Sequence, residues 1–312
     1  MNLNSRGASP RTRVSVDRVC ASDLCRREVV LYLLLALCCL FDFGFTQLFK
    51  MSQRRAYAAP VVVPVNYLVI AILLGATLAA TDRLETSPQV IRIGVVTGIA
   101  FICSMAMMTW ALEVAHVAVV LVAHRLSVVV PVIAALCLWQ EEAQVVQFLG
   151  LGVAVVGLWL VTGSESTHRH HRGLAAMGIV AGVFLLQGTG HSCLRWVSHA
   201  GLDDHIFSVL FFVAVTAGIL GAMRVAVSGI RPRRPEILMG VGIGLFNLVA
   251  LATILETLSR FPAIIFFPVL GCTIVILDSL TAHFGWKEKL HRRAWFGVAL
   301  AVVAIVMVLG VG

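Results

Sequence analysis

The chain has 312 residues, of which 59% are hydrophobic and 13% charged, with a formal net charge of +8. A soluble domain carries about 25% charged residues, so this sequence cannot dress a globule of its size in a water-facing surface. Soluble enzymes, secreted disulfide scaffolds and disordered chains are excluded, and an integral membrane protein remains. The apolar runs are continuous, not alternating, which favours helical spans over an outer-membrane barrel. The basic residues sit at span ends and in an N-terminal tail, as membrane topology requires, so no nucleic-acid partner is expected.

Residues 1–28 form a polar tail with six arginines. No small-residue cleavage site follows a short apolar core, so the first span is expected to be an anchor. A window of about 20 apolar residues then predicts ten spans. They lie near 29–49, 58–80, 92–112, 116–138, 145–162, 174–196, 206–228, 237–257, 262–283 and 294–311. The connections are short, so function must be built inside the bundle or in its loops. Six of the eight cysteines lie in apolar runs, where a thiol acts as a small hydrophobe. No disulfide framework and no metal site are expected, and His168-Arg169-His170-His171 reads as a solvated loop.

The second half of the chain repeats the first. Trp139-Gln140-Glu141 aligns with Trp286-Lys287-Glu288, and at the same offset Gly150 meets Gly297. Upstream, Leu112-Glu113 meets Leu255-Glu256, and Lys50 falls near Arg195. The expected organisation is a tail (1–28), a first five-span repeat (29–163) and a second (174–312). An odd number of spans per repeat inverts the second copy. The fold expected is therefore all-α, with ten transmembrane helices as two inverted five-helix repeats, an arrangement used for alternating access.

Five plus five spans, a glutamate-bearing loop after spans four and nine, and a glycine-rich span after each resemble the drug/metabolite transporter superfamily, EamA type. Arg125-Leu126-Ser127-Val128-Val129-Val130-Pro131-Val132-Ile133 resembles the family's fourth-span pattern, and Val65-Asn66-Tyr67-Leu68 the start of its second span. The resemblance covers about residues 29–311. It implies a carrier that exports a small organic solute, in exchange for protons; no Walker, H-E-x-x-H or G-x-S-x-G motif appears, so no cofactor and no catalytic residue are expected. The second half departs from the pattern, because Asp278 faces Pro131 across the repeat. Its own span-nine proline is Pro268, so those two helices are expected to bend at different depths.

Ionisable side chains at mid-bilayer cost about 2.5–3.5 kcal/mol each and mark functional sites. Asp42 in span one and Arg125 in span four lie near mid-depth, and Asp278 lies deep in span nine. Arg125 is expected to bind an anionic group of the solute or to pair with Asp42. Gln187 and His191 share a face of span six, and Asn247 is a similar polar group in span eight. Each reads as a solute contact or as interhelical glue. His124 and His116 share a face of span four and are candidates for proton coupling. Glutamates at span ends are expected to stabilise turns and helix N-termini.

The bilayer and a small-molecule solute are the expected partners, and a homodimer is left open. The location is a multi-pass membrane, the inner membrane if the source is bacterial. A non-transporting membrane regulator or subunit of the same fold is the alternative, and an intramembrane enzyme is a weaker third. The short loops opposite the N-terminus hold 13 basic residues against 4 on its own side. The tail adds six to the smaller group, so the charge rule places both termini outside, whereas the family resemblance implies both inside.

Overall fold

The computed structural model describes residues 10–114, 117–162, 174–285, 287 and 291–310. These residues form eleven α-helices, in order α1 (Pro10–Arg54), α2 (Ala59–Ala80), α3 (Pro88–Val114), α4 (Val117–Leu126), α5 (Val129–Leu138), α6 (Val145–Thr162), α7 (Leu174–His199), α8 (Ile206–Ser228), α9 (Arg234–Leu258), α10 (Ala263–Leu280) and α11 (Arg292–Leu309). Among the described residues, nine segments are long and apolar enough to cross a membrane, and Val145–Val161 is a shorter apolar helix. The chain is an all-helical, multi-pass membrane protein. The bilayer dictates this choice, because a helix satisfies its own backbone polar groups where water is absent.

The expected spans match these helices closely, with three refinements. First, α1 begins at Pro10, so much of the polar tail is helical and continuous with span one. Second, span four is two helices, α4 and α5, separated by Ser127 and Val128. Pro131 is the cause: it lacks an N–H and occupies the first turn of α5, where that donor is not needed. The Ser127 hydroxyl donates to the His124 carbonyl at 2.6 Å, covering an acceptor that the break would otherwise leave bare. Third, α10 runs unbroken through Pro268 and ends in a π-turn at Thr281–Gly285, just after Asp278. The irregularity of span nine therefore lies at Thr281–Gly285, and the expectation of a break at Pro268 is corrected.

Helix direction follows from close glycine contacts. On α8, Gly218 faces Leu68 and Gly221 faces Pro64, so α2 and α8 run antiparallel. On α6, Gly150 faces Ala304 and Gly157 faces Gly297, so α6 and α11 are antiparallel as well. Gly182 against Met107 and Gly190 against Phe101 set α7 antiparallel to α3. In contrast, α2 runs parallel to α9 and α3 parallel to α8, through Gly240, Gly244, Gly94 and Gly98. Gly152 and Gly242 meet nothing within 4 Å and take no part in these close contacts.

The turns repeat across the chain. Six described residues have φ between 51° and 68°. They fall into three pairs at near-constant spacing: Ala56 with Gly201, Asp82 with Gly229, and Gln140 with Lys287. Left-handed backbone is costly for residues other than glycine, so such coincidence reflects matched turn geometry. At the centre of the bundle α10 is the most enclosed helix, with Phe266, Phe267 and Cys272 fully buried. Large apolar side chains such as Leu33, Ile72, Met177 and Val306 are exposed outward, where lipid is their solvent.

Candidate functional site

The break in span four places Arg125 in the last turn of α4, and there it meets α10. Its guanidinium forms an ion pair with Asp278 at 2.5 Å. The expected pairing with Asp42 is corrected: the partner is Asp278, from the opposite half of the chain. The other Asp278 oxygen, Oδ1, accepts a hydrogen bond from Gln47 Nε2 at 2.7 Å. One carboxylate therefore ties α1, α4 and α10 together. Asp42, five residues before Gln47 on α1, lies within electrostatic reach of both Arg125 and Asp278. The Arg125 and Asp278 side chains keep 21% and 26% of their surface, so they line a crevice and are not sealed in a core. A guanidinium carries five N–H donors, so the single bond to Asp278 leaves Arg125 able to recognise a further acceptor.

A second polar group forms between α3 and α7. The Ser104 hydroxyl donates to Gln187 Oε1 at 2.6 Å, and Gln187 Nε2 lies 3.0 Å from His191 Nε2. An amide nitrogen can only donate, so His191 Nε2 accepts and the ring proton sits on Nδ1. That Nδ1 is buried and has no hydrogen-bond partner among the described residues. The ring packs edge-on against Phe267 of α10, with centroids 5.6 Å apart. His124 lies within electrostatic reach of both Arg125 and His191, so the two polar groups are neighbours.

Of the expected site residues, the structure gathers Asp42, Arg125, Asp278, Gln187, His191 and His124. Asn247 has a different setting. Its amide donates to Asn66 Oδ1 at 3.1 Å, and both side chains are buried between α9 and α2. That geometry fits interhelical glue, the second of the two roles the sequence allowed for it. His116 lies outside the described residues, so the face shared by the two histidines is not described.

Sequence reasoning missed two members of the site. Ser104 is a lone hydroxyl in an apolar helix, and only its contact with Gln187 marks it. Gln47 is one polar residue in an apolar span, and its bond to Asp278 depends on how α1 rotates against α10. A third arrangement lies at the bundle end. The Glu141 carboxylate accepts from Arg195 Nε at 2.6 Å and from the Ala263 backbone N–H at 2.8 Å. Here the expectation that turn glutamates stabilise helix N-termini is met at α10, and Arg195 is the unforeseen participant.

No family model matches the chain. A curated relative, the probable 4-amino-4-deoxy-L-arabinose-phosphoundecaprenol flippase subunit ArnE of Pectobacterium atrosepticum, is 32% identical over 74 residues, which is 24% of this chain and 58% of that protein. The chain thus spans less than two thirds of that relative's length. A solved crystal structure superposes with a TM-score of 0.74 at 14% identity, over 91% of this chain and 97% of the other, and shares the fold. Multi-span helical architecture, the fourth-span motif around Arg125 and the match to a flippase subunit together support the resemblance to the EamA-type drug/metabolite transporters.

Proposed function

We propose that this protein is a secondary carrier of a small organic solute, working by alternating access between two inverted five-helix halves. The observation that carries this is the Arg125–Asp278 pair. It joins the first half to the second inside the membrane, where unneeded charge is not tolerated. The antiparallel pairing of α2 with α8 and of α6 with α11 supports inverted repeats, and the matched left-handed turns support the same division. Arg125, with donors to spare, would bind an acceptor group of the solute, while Asp42 and His191 Nδ1 would contact the rest of it. Export is the direction that the family resemblance suggests.

A second reading, a membrane subunit working with a partner, is favoured by one observation: the relative it matches is itself named as a flippase subunit. Flux in proteoliposomes holding this chain alone tests the proposal, with candidate solutes drawn from an untargeted comparison of cells with and without the gene. Uptake or release that disappears in Arg125→Ala supports the carrier. Flux that requires a second protein supports the subunit reading.

A further inference from the structure

At the end of the bundle formed by the α5–α6 turn and the α9–α10 turn, an ion pair joins the halves beside a ring contact of Trp139 with His199 at 5.5 Å. Glu141, in the α5–α6 turn, spends both carboxylate oxygens on the second half of the chain: one on Arg195 of α7, the other on the Ala263 N–H that opens α10. Arg195 in turn donates through Nη1 to the carbonyl of Leu258, the last residue of α9, and reaches the Phe261 carbonyl at 3.5 Å. An end-of-helix carbonyl and a start-of-helix N–H have no partner within their own helices. Here one ion pair satisfies both, and it binds the ends of α7, α9 and α10 to a turn of the first half.

We propose that Glu141 and Arg195 are a latch between the halves, closing this end of the bundle and parting when solute passes it; the inference rests on the carrier reading above. Two physical arguments support a latch over a permanent tie. The first is depth. Glu141 lies in the turn after α5 and Arg195 beside the ends of α9 and α10, at the membrane edge, so water can replace each bond when they separate, although in this closed state the two side chains keep only 13% and 16% of their surface. Arg125 and Asp278 stand within the spans, and parting them would leave two charges inside the bilayer.

The second argument is leverage. Arg125 lies in the last turn of α4 and Glu141 just past the end of α5, so the Arg125–Asp278 and Glu141–Arg195 pairs stand about 20 Å apart along span four. A rotation of about 10° around the mid-depth pair moves the latch by about 3 Å, which is enough to part a hydrogen bond. The same rotation barely moves Arg125. Glu141 also follows Gln140, whose φ of 52° is left-handed. That strained turn aims the carboxylate at α7 and α10.

The test is a distance measurement across the latch. Spin labels go on Glu142→Cys and Arg260→Cys, both exposed, with Cys20, Cys25, Cys103 and Cys137 changed to Ala, in the full chain in lipid nanodiscs. Two distances are expected, the shorter dominant. Glu141→Gln should raise the longer one about tenfold in population, and Arg195→Gln should do the same from the other side. A single distance, unchanged in all three proteins, overturns the latch whether or not the protein transports. Two distances in a protein with no flux of any solute leave the latch standing and overturn the carrier reading instead.

Discussion

Gln140 and Lys287, 147 residues apart in the chain, hold the same left-handed backbone conformation, with φ of 52° and 56°. Each follows a tryptophan and precedes a glutamate. Neither is a glycine, so each turn carries a backbone cost of about 1–2 kcal/mol that the surrounding fold must impose. A β-branched residue tolerates this conformation least. Gln140→Val and Lys287→Val are therefore expected to destabilise the protein by about 1–2 kcal/mol each, and the glycine variants to be neutral or stabilising. Thermal unfolding in detergent checks this. A valine variant as stable as the parent would show that its turn relaxes without cost.

The partnership of Arg125 with Asp278 makes a different prediction from a partnership with Asp42. Removing one member of a largely enclosed pair leaves the other uncompensated and costs about 3 kcal/mol. Arg125→Ala and Asp278→Ala should each lower stability by that order, and the double variant should recover much of it. Asp42→Asn combined with Arg125→Ala should not. Rescue by Asp42 and not by Asp278 would place the pairing wrongly. Arg125→Lys should keep much of the stability and lose transport if the planar fork grips a carboxylate or phosphate.

The spans were readable because bilayer thickness sets helix length, and hydropathy reports it directly. The start of α1 at Pro10 was not, since nothing apolar marks where a polar helix begins. Pro131 announced an irregularity in span four, but only the fold shows that the break falls at Ser127–Val128. The choice between Asp42 and Asp278 as the mate of Arg125 turns on helix rotation, and both carboxylates lie at suitable depths. The Glu141–Arg195 pair was hidden for another reason. Charges at span ends are commonplace, and the repeat aligned Glu141 with Glu288 and Arg195 with Lys50, never with each other.

The crossing of α6 on α11 should be intolerant of side chains at two positions and indifferent at a third. A Cβ on Gly297 would stand 2.8 Å from the Gly157 carbonyl, and one on Gly157 would stand 3.1 Å from the Gly297 carbonyl. These are backbone atoms and cannot swing away. Gly157→Ala and Gly297→Ala are each expected to cost about 1–3 kcal/mol through forced separation of the helices. Gly152→Ala meets open space and should gain up to about 1 kcal/mol from helix propensity. Equal stability of all three variants would remove the close crossing.

Asn247 and Asn66 provide the test that separates glue from site. Their amides bond to each other at 3.1 Å, and both side chains are nearly sealed from solvent. Asn247→Leu strands the Asn66 amide and should destabilise by about 1 kcal/mol, the scale measured for interhelical hydrogen bonds in membranes. Asn66→Leu should cost about the same. The double Leu variant removes both polar groups at once and should recover most of the loss, because no orphan is left in an apolar setting. Flux in the double variant should stay near the parental rate, since neither amide reaches the Arg125 group by a hydrogen bond. Loss of flux in a double variant that is as stable as the parent would return Asn247 to the solute path.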